Sequence, residues 1–559
     1  MADGGSESLE SLARLHFQAG RFEAALRLID SAIAAHPAQV QLWSNRGAIL
    51  ATMKRFDAAY ESFDRALALE PGFTGALGNR AHVLMELHRY EEAIGDYERL
   101  VRSNADIPFA RGNLIRAKLQ CCDWRGLQQE WDRASTAMRA GKLIIPPMVS
   151  TALSTTPEDQ LLASRILATF KYPPSHTPLW TGETYRHGRI RIAYLSSDFH
   201  AHATATLMAG VFEAHDRSRF ETTALSFGPD EKSAMRRRLV AAFEHFLPVA
   251  EKSDADIASL LREREIDIAI DLKGYTDQSR PAILARRPAP LQVNYLGFPA
   301  TMGSLYMDYI IADRVVIPQS DQVHYTEKVA YLPHSYQPND RTRRVAENTP
   351  NRAQAGLPQT GFVFCCFNSS YKIQPQLFDI WIRLLADVDN SVLWLLEDNP
   401  SVQRNLIRES VARGVAAERL VFAPRTTVHD HLARHVHADL FLDTLPYNAH
   451  TTASDALWMG LPLLTCTGAT FPSRVAASLL VAIGIPELVT SSLNEYEKLA
   501  RRLACTPAEL AAIKVKLARN RETAPLFDVA QFTRHLESAY ATMWERQQRG
   551  QAPASFAVG

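Results

Sequence analysis

The sequence is short of cysteine: six in 559 residues, as the neighbours Cys121/Cys122 and Cys365/Cys366 with single Cys466 and Cys505. So few thiols exclude a disulfide-built scaffold. The absence of any C-x-x-C spacing argues against structural zinc and fits a reducing compartment. Net charge is absent too, with 61 Lys+Arg against 61 Asp+Glu. A neutral chain has no overall field to gather a polyanion, so neither nucleic acid nor a membrane is expected as a partner. No apolar run approaches the length of a membrane span, and the polar first ten residues do not read as a signal peptide, so a cytoplasmic protein is expected. Neither G-x-G-x-x-G nor G-x-x-x-x-G-K-[ST] occurs, which leaves dinucleotide oxidoreductases and P-loop ATPases unsupported. Two D-x-D triplets, at 254–256 and 387–389, read as a helix cap and a turn, and neither makes a metal–diphosphate site. What is present is ordinary: 46% hydrophobic and 22% charged residues, in a chain long enough for three or four domains.

A repeat gives the first positive result. Phe22, Phe56, Tyr90 and Trp124 are spaced 34 residues apart, and Ala25, Ala59 and Ala93 follow in phase. Gly47 shares its phase with Ala13 and Ala81. A 34-residue period with small residues at a helix crossing is the tetratricopeptide signature, in which each helical hairpin buries one face by stacking on the next. Repeats are expected at about 6–39, 40–73 and 74–107, with a degraded one at 108–141 where Leu127 replaces the alanine. Asn45, Asn79 and Asn113 share the sixth repeat position, on the first helix of each hairpin. Such a column either holds the backbone of an extended peptide, giving an acceptor groove, or is simply the residue usual at that position.

Beyond a helical connector at 142–185, short apolar β-branched runs alternate with helical stretches. One set lies at 189–199, 221–227, 266–275, 291–299, 309–318 and 328–333. The second lies at 362–368, 391–396, 419–424, 438–444 and 462–468. Such runs predict parallel sheets covered on both faces, hence two facing Rossmann-like domains at 186–340 and 341–505. Helices at 506–559 are expected to pack back on the first. The fold class is an α-solenoid followed by α/β.

Ligands of such sheets sit at the carboxyl ends of the strands. After the run 438–444 come His450, Thr451 and Thr452 at a helix start, where two threonines can cap the helix and its free N–H groups can hold a phosphate. Asp455, in the first turn, either bonds sugar hydroxyls or is a dipole-favoured acid. Lys372, after the run 362–368, either neutralises a departing diphosphate or is a solvated surface lysine. His202, in the loop after the first strand, is a candidate base or hydroxyl ligand, with His200 two residues away. His431 and Arg434, spaced i, i+3, share a helix face on which a base can stack. His245 reads as a satisfied core histidine.

Ten ordered segments then resemble glycosyltransferase family 41, the family of the nucleocytoplasmic O-GlcNAc transferase, in a bacterial form. They are SSDFHAH, RPAPLQ, LGFPAT, MDYIIAD, FNSSYKI, NSVLWLL, ADLFLDT, HTTASDALWMG, SRVAAS and PLFD. The resemblance runs nearly end to end. It implies a GT-B fold and inverting, metal-independent transfer of N-acetylglucosamine from UDP-GlcNAc to Ser/Thr hydroxyls of proteins, which the repeat groove would hold. By position it implies that Lys372 neutralises the β-phosphate of leaving UDP, and that His450, Thr451 and Thr452 hold the diphosphate and sugar. Asp455 would take the ribose, and His431 and Arg434 the uracil. His202 would lie beside sugar and acceptor, where a disputed role as base is attached to it. Tyr371 and the loop 297–301, with Gly297 and Pro299, would complete the sugar pocket, and Asn368 and Ser369 would also meet the substrate.

The chain departs from the animal pattern at Ser369 and Ser370 (Gln and Leu there), at Leu445-Pro446-Tyr447 (Pro-Leu-Cys) and at Val428 (a nucleotide-contacting Lys). Tyr447 is expected near the N-acetyl pocket. Two alternatives therefore stay open: the same fold using another UDP-hexose or GDP-fucose, or a tetratricopeptide scaffold with a weakly active nucleotide-binding region.

Overall fold

The computed structural model describes residues 4–104 and 106–559. It divides into two compact units, Met1–Ile145 with Asn399–Asn405, and Pro146–Asp398 with Leu406–Gly559.

Among the described residues, the part of the first unit up to Ile145 forms eight helices: α1 (Gly4–Gln18), α2 (Phe22–Ala35), α3 (Val40–Thr52), α4 (Phe56–Leu69), α5 (Thr74–Glu86), α6 (Tyr90–Ser103), α7 (Ala110–Gln120) and α8 (Leu127–Arg139). The in-phase alanines Ala25, Ala59 and Ala93 are fully buried where helices cross. Gly47 replaces alanine in its column for a steric reason: a Cβ there would lie 2.6 Å from the ring of Phe63. The turn inside each hairpin needs one left-handed residue. It is Gly20 (φ 72°), Lys54 (58°), His88 (57°) and Cys122 (50°), so the period is written in the backbone as well as in the side chains. Polar groups keep it too. Arg46 donates to Asp30 (2.7 Å) and Ser62 (2.7 Å), and Arg80, one repeat on, donates to Asp64 (2.7 Å) and bidentately to Asp96 (2.7 and 2.8 Å).

The second unit carries two sheets in which every recorded strand pair is parallel. The first is built from β1 (Ile190–Ser196), β2 (Phe220–Ser226), β3 (His245–Pro248), β4 (Ile268–Asp271), β5 (Leu291–Asn294), β6 (Tyr309–Ala312) and β7 (Lys328–Tyr331). The second holds β8 (Val363–Cys366), β9 (Val392–Leu396), β10 (Leu420–Ala423), β11 (Leu440–Leu442), β12 (Leu463–Cys466) and β13 (Val489–Thr490), and β14 (Phe556–Ala557) returns to the edge of the first. The orders are β14-β7-β6-β5-β4-β1-β2-β3 and β10-β9-β8-β11-β12-β13. Each sheet thus reverses direction beside its first strand, between β1 and β4 and between β8 and β11. That crevice is where a doubly wound sheet takes its ligand. β3, β13 and β14 were not expected from the sequence. His245 sits on edge strand β3 and is 42% exposed, paired with Glu221 at 3.4 Å, so the reading of it as a core histidine is corrected.

The helix Val529–Gln548 packs on the first sheet through a buried chain. Glu537 lies 2.9 Å from His215 Nδ1, His215 Nε2 lies 2.9 Å from the Tyr194 hydroxyl, and Tyr194 meets Tyr540 at 3.2 Å. The two sheets are tied by Ser478 Oγ donating to Asp313 (2.6 Å) and by Gln337 Nε2 donating to Ser454 Oγ (2.8 Å) and to the His450 carbonyl (3.3 Å).

Candidate active site

Both switch points hold a lysine and an aspartate. In the second sheet Lys372 ends the short 3-10 turn Ser370–Lys372 that follows β8. The turn is pinned by Ser370, whose N–H and hydroxyl both reach Asp398 Oδ2 (3.0 and 2.7 Å). Lys372 is buried, not a solvated surface residue. Its Nζ donates to the Asn448 carbonyl at 2.9 Å and lies 4.1 Å from the centroid of the Tyr447 ring. Burial lowers its pKa, against the pull of Asp443 just after β11. Burial raises that of Asp443, although the carboxylate accepts from the N–H groups of Thr444 (2.7 Å) and Ala449 (2.5 Å) and from Thr465 Oγ1 (2.6 Å). This carboxylate shapes the loop that delivers His450.

His450 precedes the helix Thr451–Trp458 as its cap residue without a side-chain capping bond. Its ring stacks on Tyr447 (4.7 Å), its Nε2 lies 3.3 Å from the Pro472 carbonyl, and burial together with Lys372 holds it neutral. Tyr447 follows a cis Leu445–Pro446 bond and is itself buried beneath Lys372 and His450, with Tyr371 edge-on at 5.9 Å. It therefore holds the cation and the imidazole side by side.

Two details of the helix start differ from expectation. The threonines do not cap it: Thr452 Oγ1 donates to Asn368 Oδ1 instead. Asn368 Nδ2 reaches Thr444 Oγ1 (2.7 Å) and Asp443 (3.3 Å), so this buried amide ties β8, β11 and the helix together. Asp455 lies in the second turn, because the helix starts at Thr451. It is paired with the buried Arg343, a residue sequence reasoning missed. Among the described residues Arg343 Nε and Nη1 have no hydrogen-bond partner. His431 Nε2 lies 3.9 Å from Asp455. His431 and Arg434 do share a face of the helix Val428–Arg434, both against Phe367 (5.3 and 5.9 Å). Burial, reinforced by His435, Arg434 and Arg343, pushes the His431 pKa down to about 3, so the ring is uncharged. The Arg434 guanidinium is tethered to the Pro424 carbonyl at 2.9 Å. Ser369 opens the turn before Lys372, and Val428, at the start of its helix, is exposed.

The first sheet contributes Asp198 after β1 and Lys273 after β4, joined at 2.8 and 2.9 Å. His202 caps the helix Ala203–Ala214, its Nδ1 accepting the Thr204 N–H at 3.2 Å. Gly297 is required by packing, since a Cβ would lie 2.0 Å from the Leu272 carbonyl oxygen. The loop it opens, with buried Pro299, is moored by the buried Glu327, which accepts from Thr301 Oγ1 (2.5 Å) and the Met302 N–H (2.7 Å).

In the first unit the asparagine column lies on α3, α5 and α7. Asn45 is engaged by Glu10 (2.9 Å) and Gln41 (2.7 Å), Asn79 is exposed, and Asn113 is half-buried. Among the described residues no three His, Cys, Asp or Glu side chains gather into a group able to hold a metal, and no helix is long and apolar enough to cross a membrane.

The chain matches the description "Glycosyl transferase family 41" over residues 160–347 and 340–536, and tetratricopeptide repeats over 11–72 and 50–119. It belongs to glycosyl transferase family 41. A relative from Arabidopsis thaliana, a probable UDP-N-acetylglucosamine--peptide N-acetylglucosaminyltransferase named SEC, is 34% identical over 79% of this chain and 47% of its own. A UDP-N-acetylglucosamine--peptide N-acetylglucosaminyltransferase from Caenorhabditis elegans is 30% identical over 65% of this chain and 41% of its own. The chain thus spans about half the length of these curated relatives. A solved lysine-to-methionine mutant of the Thermobaculum terrenum O-GlcNAc transferase superposes with a TM-score of 0.72 at 28% identity, over 98% of this chain and 99% of that one. The expected architecture, tetratricopeptide repeats followed by two parallel-sheet domains of the GT-B class, is the one found.

Proposed function

We propose that this family 41 member is an inverting glycosyltransferase that moves N-acetylglucosamine from UDP-GlcNAc to Ser or Thr hydroxyls of proteins. The observation that carries the reading is the buried cation Lys372, set against the Asn448 carbonyl two residues before His450 and the N-terminus of the helix Thr451–Trp458. The acceptor oxygen attacks the anomeric carbon and gives up its proton to a base or to water, the bond to the β-phosphate oxygen breaks, and UDP gains a negative charge. Lys372 and the free N–H groups at the helix start meet that charge where it develops, which is the neutralisation that a metal supplies elsewhere. Asp455 takes the ribose hydroxyls once Arg343 releases it, and the neutral His431 offers its ring to the uracil. His202, with the loop carrying Gly297 and Pro299, faces the sugar and the acceptor from the first domain. Protein acceptors lie along the repeats. In that role Asn79 is the member of the column with its amide most free, and a triple Asn45, Asn79 and Asn113 to Ala variant is expected to lose protein acceptors while keeping donor hydrolysis.

Thermal-shift titration with UDP, UDP-GlcNAc, other UDP-hexoses and GDP-fucose tests the donor. UDP and UDP-GlcNAc are expected to stabilise the protein. Stabilisation by GDP-fucose with none by UDP would overturn the assignment.

A further inference from the structure

The Asp198–Lys273 pair takes no part in the leaving-group chemistry, yet it touches His202, an imidazole in the loop after β1. Both residues are about 95% buried, at 6% and 5% exposure. Lys273 Nζ donates to both carboxylate oxygens, at 2.9 and 2.8 Å. Oδ1 also accepts from Ser197 Oγ (3.0 Å) and Oδ2 from Thr204 Oγ1 (3.3 Å). His202 brings Nδ1 to 3.4 Å from the same Oδ2, but its hydrogen bond at that nitrogen comes from the Thr204 N–H at 3.2 Å. A ring nitrogen that accepts an N–H carries no proton, so the proton of the neutral ring is on Nε2. His200 lies 5.7 Å from this ring, and Glu231 lies 4.0 Å from His200 and accepts the Ala201 N–H at 2.8 Å. Burial lowers the pKa of His202, Asp198 opposes this, and Lys273 and His200 add to the lowering.

We propose that Lys273 is a positioning residue that fixes the tautomer of His202. By occupying both oxygens of Asp198, it stops that carboxylate from drawing a proton onto Nδ1, and His202 stands at the site as a neutral ring with its N–H at Nε2. What the ring faces rests on the transferase reading above. In this tautomer Nε2 donates a hydrogen bond to a sugar or phosphate oxygen and has no lone pair for the acceptor's proton, which must leave to another group.

The test is two-bond proton–nitrogen NMR on full-length protein carrying nitrogen-15 histidine, with His202 identified by the signals lost in His202→Gln. Wild type is expected to show a protonated Nε2 and a bare Nδ1 at neutral pH. In Lys273→Met the proton is expected to move to Nδ1, facing the freed Asp198, and the titration midpoint of His202 to rise by about one unit. Lys273→Arg is expected to behave as wild type. A proton on Nδ1 in wild type, or an unchanged tautomer and midpoint in Lys273→Met, would overturn the proposal. Should Lys273→Met not fold because it strands a buried carboxylate, the double variant with Asp198→Asn removes both charges. There the Nε2 proton is expected to persist, and a shift to Nδ1 would overturn the proposal. Absence of transfer with every donor would undo the transferase reading and leave these signals where they are.

Discussion

Lys372→Met removes one charge and little volume, and the structure allows its effect to be sized. Cleavage of the donor adds about one negative charge to the diphosphate, which a hydrogen-bonded ammonium meets at about 3 Å. With an effective dielectric constant of about 20, that contact is worth about 5 kcal/mol. Asp443, drawn electrostatically to the same lysine, offsets part of it. About 3–4 kcal/mol remains, a fall of roughly 10²–10³ in kcat, the range seen when one preorganised donor is removed from an anionic transition state. Donor binding should weaken less, by about tenfold, because the charge that Lys372 meets is largest after the bond breaks. Asp443 keeps four hydrogen-bond donors, so the loop carrying His450 should persist. UDP release during peptide glycosylation gives kcat, and calorimetry with UDP gives the affinity. A kcat within about threefold of wild type, or a loss confined to binding, would refute the leaving-group role.

The same lysine predicts a pH signature. Burial holds its pKa below the ordinary lysine value, so the charged form is lost as pH rises. A bound diphosphate favours the charged form. The alkaline limb of kcat/KM should therefore lie at lower pH than that of kcat, and coincident limbs in a pH–rate series would contradict this. Asp455→Asn should weaken UDP binding by roughly 10- to 100-fold, the value of one hydrogen bond to a charged group, with calorimetry as the check and kcat at saturating donor little changed. Gly297→Ala should cost about 3 kcal/mol of stability, since its methyl would meet a backbone carbonyl that cannot yield; an unchanged melting temperature would show that the loop re-forms elsewhere.

What could be read in advance follows from where the information sits. The repeats were legible because each buries the same small residue every 34 positions. The strands were legible because both faces of a parallel sheet are covered, leaving uninterrupted apolar runs such as that around β8. β13 and β14 are two residues each and have no such run; only the sheets they extend define them. At the site, Lys372 and His431 were found by their place after a strand. Asp443 was part of the same strand end but was passed over, although a carboxylate closing an apolar strand is itself a signal. Arg343 lies in the run RTRR at 341–344, whose composition is that of any solvated loop. Nothing short of the fold brings it to Asp455. The threonine caps failed because the helix begins at Thr451, which leaves His450 in the cap position and both threonines inside the first turn.

The arginine ladder of the first unit has a consequence for how such arrays change length. Arg46 and Arg80 each clamp a residue of the preceding hairpin and one of their own, at offsets of 16 either way. Excising residues 47–80 would set Asp96 where Ser62 now meets Arg46, and the new junction would close with the stronger, charged clasp. Removal of one residue more or fewer would turn every later clamp off its helix face. The array can be shortened or grown like a string of identical links, in whole units only.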